Sequence, residues 1–418
     1  MTRRDGSLDA LNFFLADVRD GLGPYLAIYL LTVQKWDAAS IGVVMSIGGI
    51  AGILAQTPAG NFIDVTRYKR AAVIVAAIVV TACCLILPLA PDFLAVALAQ
   101  SAAGIAGSIF APAIAAITLG MMGPKAFTRR TGRNEAFNHA GNAVAAMLAG
   151  GAAYFMGPIA VFYLMAAMAV ASIGATLIIP AGAIDHDVAR GLDDGRQNDN
   201  ARPAGIAALL ENRSLLVFAA SVVLFHFANA AMLPLVGQKL ALVNEGLGTT
   251  LMAACIVIAQ LVMIPAALLV GAKADVWGRK PLFIAGFVVL AARGALYPLS
   301  DDPYWLVGVQ ALDGVGAGIF GALFPVVVAD LTRGTGRFNV SLGAIATALG
   351  LGAALSATFA GLIVVMAGYS AAFVALAAVA GLGLVIYAAF MPETKPRSDR
   401  TERSSSGSEA TMRVMDRG

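Results

Sequence analysis

The chain has 418 residues, of which 59% are hydrophobic and 13% charged, with a formal net charge of +3 and a mean hydropathy of +0.81. A water-soluble globular chain carries about 25% charge, so there are too few polar groups here to cover a surface in water. The net charge is too small to point to a charged partner, and no nucleic acid partner is expected.

About twelve apolar runs of membrane-crossing length follow one another. They cover residues 9–33, 39–62, 71–90, 92–120, 134–155 and 158–181, then 213–238, 246–272, 281–300, 303–330, 338–366 and 370–391. Sheet edges and open loops leave backbone groups unpaired in lipid, and barrel strands would alternate in polarity. The expected fold class is therefore an all-α integral membrane protein. The start of the chain leads into a long helix rather than a short apolar segment with a cleavage site, so no cleaved signal peptide is expected.

Charged groups within apolar runs are costly in lipid and mark function. The first run carries Asp17, Arg19 and Asp20 near mid-depth. The two acids are i, i+3 and share a face, which suits a proton carrier or a neutralised structural triad. Cys83, Cys84 and Cys255 lie inside apolar runs and read as small packing residues. The fifth run carries Glu135, Asn138, His139 and Asn142 at i, i+3, i+4 and i+7. That stripe must face a cavity or another helix. The seventh run adds His226 and Asn229, and the tenth adds Asp313 beside two glycines. Three histidines lie far apart, and no HExxH, P-loop or Ser/His/Asp pattern occurs. No metal, cofactor or catalytic residue is expected, and the chain is not expected to be an enzyme.

Residues 182–212 form a polar linker, with a short surface helix expected over Ala204–Asn212. The tail from Lys395 is expected to be disordered. Of the 28 Lys and Arg residues, 24 fall at the N-terminus, in the even-numbered loops, the linker or the tail; only Arg19, Lys35, Lys239 and Arg293 lie elsewhere. The positive-inside rule then places both termini in the cytoplasm of a bacterial-type inner membrane.

The two halves repeat in parallel. Pro24 and Pro234 are 210 apart, Asp64 and Asp275 are 211 apart, and Gln100–Phe110 matches Gln310–Phe320 at 210. Thr131–Arg133 matches Thr335–Arg337 at 204. The domains expected are a bundle over 1–181, the linker over 182–212, a second bundle over 213–391 and a tail over 392–418. Parallel six-helix halves are a known transporter plan, with the solute site between them.

Gly271, Asp275, Gly278, Arg279 and Lys280 match the loop signature Gly-x-x-x-Asp-x-x-Gly-Arg-Lys. With the repeat, this resembles the major facilitator superfamily of secondary transporters. The first-half copy, Gly60, Asp64 and Arg67, departs from the signature at Val65 and Arg67–Tyr68. The resemblance implies two pseudo-symmetric six-helix bundles and an acid docked across them at the cytoplasmic side. Asp64 is expected to face the helix start at Thr335–Arg337, and Asp275 the one at Thr131–Arg133, so that Arg133 and Arg337 belong to the same gate. The function expected is proton-coupled efflux of a small organic solute by a monomer in the lipid bilayer. The alternatives are proton-coupled uptake of a polar metabolite or metal chelate, and a non-transporting membrane sensor. Gln100 stands where the antiporter pattern of the fourth span has arginine, and Ala146–Met147 replace its Gly-Pro pair in the fifth.

Overall fold

Lipid offers no hydrogen-bond partner to a peptide group, and among the described residues the chain meets that demand with helices and turns alone. The computed structural model describes residues 3–20, 26, 29–30, 33–36, 38–157, 159–192, 211–243 and 248–395. In chain order, α1 (Arg3–Asp20), α2 (Ala38–Val65), α3 (Lys69–Ile86), α4 (Phe93–Gly107), α5 (Phe110–Met156) and α6 (Ala160–Ile178) come first. A one-turn α7 (His186–Ala189) follows. Then come α8 (Arg213–Ala230), α9 (Met232–Val243), α10 (Gly248–Trp277), α11 (Arg279–Leu296), α12 (Pro303–Leu331) and α13 (Phe338–Phe390). Nine helical runs among the described residues are long and apolar enough to cross a membrane. The surface helix expected over 204–212 falls mostly outside the described residues.

Two of these helices are too long for one crossing. α5 has 47 residues and α13 has 53, which would span about 70 and 80 Å if straight, against a hydrocarbon core of about 30 Å. Each is broken at one glycine in the left-handed region, Gly123 (φ 70°) ahead of Pro124 and Gly368 (φ 84°). α5 doubles back there, since Asn134 Nδ2 donates to Thr118 Oγ1 at 2.8 Å across 16 residues. In α13, Gly352 and Gly383 lie against Val223 and Leu224, neighbours on α8. The stretch 121–133, expected as a loop, is therefore helical apart from the turn at Gly123. The single run expected over 92–120 lies within one membrane-length run, with a two-residue turn between α4 and α5 where the Ser108 hydroxyl bonds the Ile105 carbonyl at 2.6 Å.

Polar residues open several helices by accepting from free N–H groups of the first turn. Asp92 accepts from Ala95 N, Asn212 from Leu215 N, and Asp302 from Tyr304 N and Trp305 N. Buried apolar side chains gather in two cores. One runs from Leu8 to Ala189. The other runs from Leu215 to Met391 and recruits Ala115, Leu119, Phe127 and Ala136 of α5 with Val188 of α7. Phe127 meets Phe338 edge-on at 6.0 Å where the two join.

Small residues let helices approach in membranes, and here they do so across the join. A Cβ on Gly132 of α5 would lie 2.6 Å from Gly271 Cα of α10. Gly132→Val should therefore lower stability by about 1–3 kcal/mol through overpacking. Gly150→Val, where nothing lies within 4 Å, should leave it unchanged. Thermal unfolding of the detergent-solubilised chain compares the two.

Candidate functional site

The polar stripe of α5 lines a cavity of about 470 Å³. Glu135, Asn138, His139 and Asn142 all reach it, as their i, i+3, i+4, i+7 spacing requires. Asn134 and Thr131 extend the same wall, and Asn12 and Gln56 add polar groups from α1 and α2. The opposite wall comes from α8, α10 and α12, with His226, Gln260, Met263, Phe320 and Phe324. The His226 ring lies tilted against Phe320 at 4.6 Å, and Phe320 stacks on Phe324 at 5.3 Å. One wall thus offers amides and an imidazole, the other aromatic rings.

His139 Nδ1 lies 2.8 Å from Gln260 Oε1, which joins α5 to α10 across the cavity. Its Nε2 is 4.0 Å from Glu135 Oε2. The Glu135 carboxylate is turned to α12, where a Cβ on Gly321 would meet Oε2 at 3.2 Å.

Asn229 and Asp313 do not line this cavity. They belong to a buried network around Arg293, which is 1% exposed. The guanidinium donates to Asn229 Oδ1 at 2.6 Å, pairs with Asp313, and reaches Tyr297 Oη at 3.1 Å. Tyr297 donates to Gln310, whose amide donates to Asp313 at 3.0 Å. A carboxylate with a guanidinium within reach is drawn to it rather than to open space, which is why Asp313 turns inward. Asp17, Arg19 and Asp20 sit in the last turn of α1, and their side chains lie outside the described residues.

At one face of the molecule the expected contact between an acid and a helix start is present for Asp64 and absent for Asp275. Asp64 accepts from Asn339 N at 3.1 Å, Val340 N at 2.8 Å and Asn339 Nδ2 at 2.8 Å. It therefore caps the first turn of α13, whose N–H groups have no partner within the helix. Arg337 donates to Asn61 at 3.0 Å, and Gly60 lets α2 lie directly on the Asn339 carbonyl. Asp275 does not mirror this. It is half exposed and pairs with Arg279, one turn on, at 2.7 Å. The reason is that Thr131–Arg133 is not a helix start: α5 runs unbroken from Pro124, so there are no free N–H groups for an acid to cap.

Arg279 makes the second link instead. Buried at 2% exposure, it bonds Asp330 at 3.0 Å within the second half and Thr128 of α5 at 3.1 Å. Gly278 begins this helix with φ 97°, and Glu393 accepts from Arg279 N and Lys280 N. Arg133 also departs from expectation. It grips Asp9 of α1 through two bonds, at 2.8 and 2.6 Å, and Arg130 shares the same carboxylate. Arg67 is exposed. The start of the linker wedges into this face: Ala189 O accepts from Asn339 Nδ2, Arg190 O from Phe338 N, and Gly191 O from Gly334 N. In the same segment, burial and the nearby cations Lys69 and Arg67 pull the His186 imidazole below its ordinary pKa.

A model of the Major Facilitator Superfamily matches residues 8–275 and 242–413. The chain belongs to the major facilitator superfamily. It is 60% identical over 388 residues to uncharacterised MFS-type transporters of Mycobacterium tuberculosis strains CDC 1551 / Oshkosh and ATCC 25618 / H37Rv, covering 93% of either chain. Among solved structures it resembles the proton:xylose symporter XylE bound to 6-bromo-6-deoxy-D-glucose, with a TM-score of 0.73 at 14% identity, over 94% of this chain and 96% of that one. It also resembles FucP in the outward conformation (TM-score 0.70, 13% identity, 92% and 97% coverage) and the human organic anion transporter MFSD10 (0.67, 16%, 92% and 99%). At such identities these likenesses speak for the fold.

Several residues of this superfamily member escaped the sequence reading. Arg293 was visible as one arginine within an apolar run, 20 positions from Asp313. Asp9 carried a weaker signal, an acid at the same membrane edge as Arg130 and Arg133. Gln260 and Asn339 carried none, because a lone amide has no periodic partner.

Proposed function

We propose that this transporter carries a small organic solute by alternating access, and that a proton gradient drives it in the direction of efflux. The observation that carries the reading is the cavity between the halves, closed at one face by the Asp64 and Arg279 links. Its 470 Å³ or so falls within the range of small-ligand sites, about 300–1,000 Å³. Residues 1–181 and 213–391 are then the moving bundles, 182–212 the linker and 392–418 the tail. The latched face is the cytoplasmic one, on the distribution of basic residues, and the chain acts as a monomer with both termini inside the cell.

No Lys or Arg is among the described residues lining the cavity. Such a lining favours uncharged or cationic solutes over anions, which would lack a counter-charge in a low dielectric. The aromatic wall suits a planar apolar face. The amides of Asn12, Gln56, Asn138, Asn142 and Gln260 also favour a second reading, uptake of a hydroxyl-rich metabolite. Proteoliposomes holding the full chain and an internal pH dye, given an imposed pH gradient and screened across cationic amphiphiles and polyols, separate the two. Efflux predicts cation-dependent proton release from the acidic lumen; uptake predicts proton entry with a polyol. No solute-linked proton movement with any compound would overturn both.

A further inference from the structure

The cavity holds three titratable side chains among its described lining residues: Glu135, His139 and His226. Two of them face one another in a way that leaves room for a proton. The amide oxygen of Gln260 can only accept, so the Nδ1 atom of His139, 2.8 Å away, carries the hydrogen. In the neutral ring, Nε2 is then a lone pair. That atom is buried without a hydrogen-bond partner, and the nearest carboxylate oxygen, of Glu135, lies 4.0 Å away. Two acceptors face each other, which repels. A single proton on either turns the contact into an attraction.

We propose that Glu135 and His139 form a proton-binding pair whose affinity is set by Gln260. The proposal rests on the transporter reading above and adds where the coupling proton sits. His139 belongs to α5 and Gln260 to α10, so the bond between them spans the two halves. An acceptor on Nδ1–H stabilises the imidazolium more than the neutral ring, because the bond becomes charge-assisted. While the latched face is closed, Gln260 is in place and the pair holds its proton more tightly. When α10 moves from α5, Gln260 is withdrawn and the proton is released toward the face that has opened. The step is a proton transfer with solvent and needs no other reactant.

The surroundings are suited to this. α1, α2, α8, α10, α12 and α13 all pack around the cavity, and among described residues the only other titratable group they turn into it is His226 of α8. The nearest cations on α5, Arg130 and Arg133, are held by Asp9. Gly321 supplies the space for the Glu135 carboxylate. Asn138 and Asn142, on the same stripe, put a solute within one turn of the pair.

The test uses the full chain and needs no known solute. Histidines labelled with 15N, assigned through His139→Gln, His186→Gln and His226→Gln, report the tautomer directly. The expected result is His139 with its hydrogen on Nδ1 at high pH. Spin labels at positions 68 and 333, with the native cysteines replaced by alanine, report whether the latched face is closed. In the wild type, lowering the pH from about 8.5 to 5.5 should raise the closed-to-open ratio about fivefold or more. Glu135→Gln and His139→Gln should each flatten that response while both distances remain populated, and Gln260→Ala should weaken it. A wild-type response that survives both Glu135→Gln and His139→Gln overturns the pair but leaves the transporter reading. An Nδ1-bare His139 overturns the role of Gln260. A wild type with a single label distance at every pH overturns the pair's coupling role and removes support for alternation itself.

Discussion

Asp64→Ala should open the latched face. The carboxylate accepts three hydrogen bonds from the first turn of α13, and alanine leaves the two backbone N–H groups without a partner in a buried seam, while Asn339 Nδ2 keeps the Ala189 carbonyl. A buried donor left unpaired costs about 1–3 kcal/mol, so the two together cost about 2–6 kcal/mol. Here some of that is recovered as water enters the opened face, so about 3 kcal/mol remains, or about a hundredfold in the closed-to-open ratio. Asp64→Asn keeps one acceptor and should shift the ratio by about tenfold. Because the contact lies between the halves, both variants should still fold. Label distances between positions 68 and 333 give the populations directly. A closed fraction unchanged in Asp64→Ala would mean that the other contacts of the seam, among them Gly60 packing and the Arg337–Asn61 and Arg279–Thr128 bonds, hold it closed.

Arg293→Ala should be the most damaging single change to stability. It strands the Asp313 carboxylate with Gln310 as its remaining donor and leaves Asn229 Oδ1 without its own. The expected loss is about 3–5 kcal/mol, while removing both charges together, as Arg293→Met with Asp313→Leu, should recover most of it. Circular dichroism during thermal unfolding in detergent distinguishes these variants. If Arg293→Ala unfolds with the wild type, the pair contributes nothing to the fold. Transport by the double variant then bears on Asp313: proton-linked movement that persists assigns the acid to the scaffold, and its loss restores the coupling role expected from its depth in the tenth run.

Helix content and membrane residence were legible because they follow from composition and run length. The bilayer demands about 20 apolar residues per crossing, and that demand can be counted. The boundaries were less legible where a turn is a single residue. Gly123 and Gly368 look like any other glycine in a chain that has 45, and only a fold-back marks them. The wall of the cavity on α5 could be read from the spacing of Glu135, Asn138, His139 and Asn142. Of the opposite wall only His226 stood out, since Phe320, Phe324 and Gln260 give no sign of which space they enter.

The loop signature shows the division most clearly. Two copies of an acid 211 positions apart suggested two equivalent latches. Asp64 makes its latch because α13 begins where it points. Asp275 does not, because the matching triplet on α5 lies inside a continuous helix whose N–H groups are already bonded. What the sequence determined by itself is the class of protein, its parallel repeat and the amphipathic face of α5, all of which depend on residue type and period. What only the tertiary structure decided is which charge meets which: Arg279 with Thr128, Arg293 with Asp313, Arg133 with Asp9 and His139 with Gln260. A buried charge takes the partner that geometry brings within about 3 Å, and that distance is set by helix ends and crossings rather than by position in the chain.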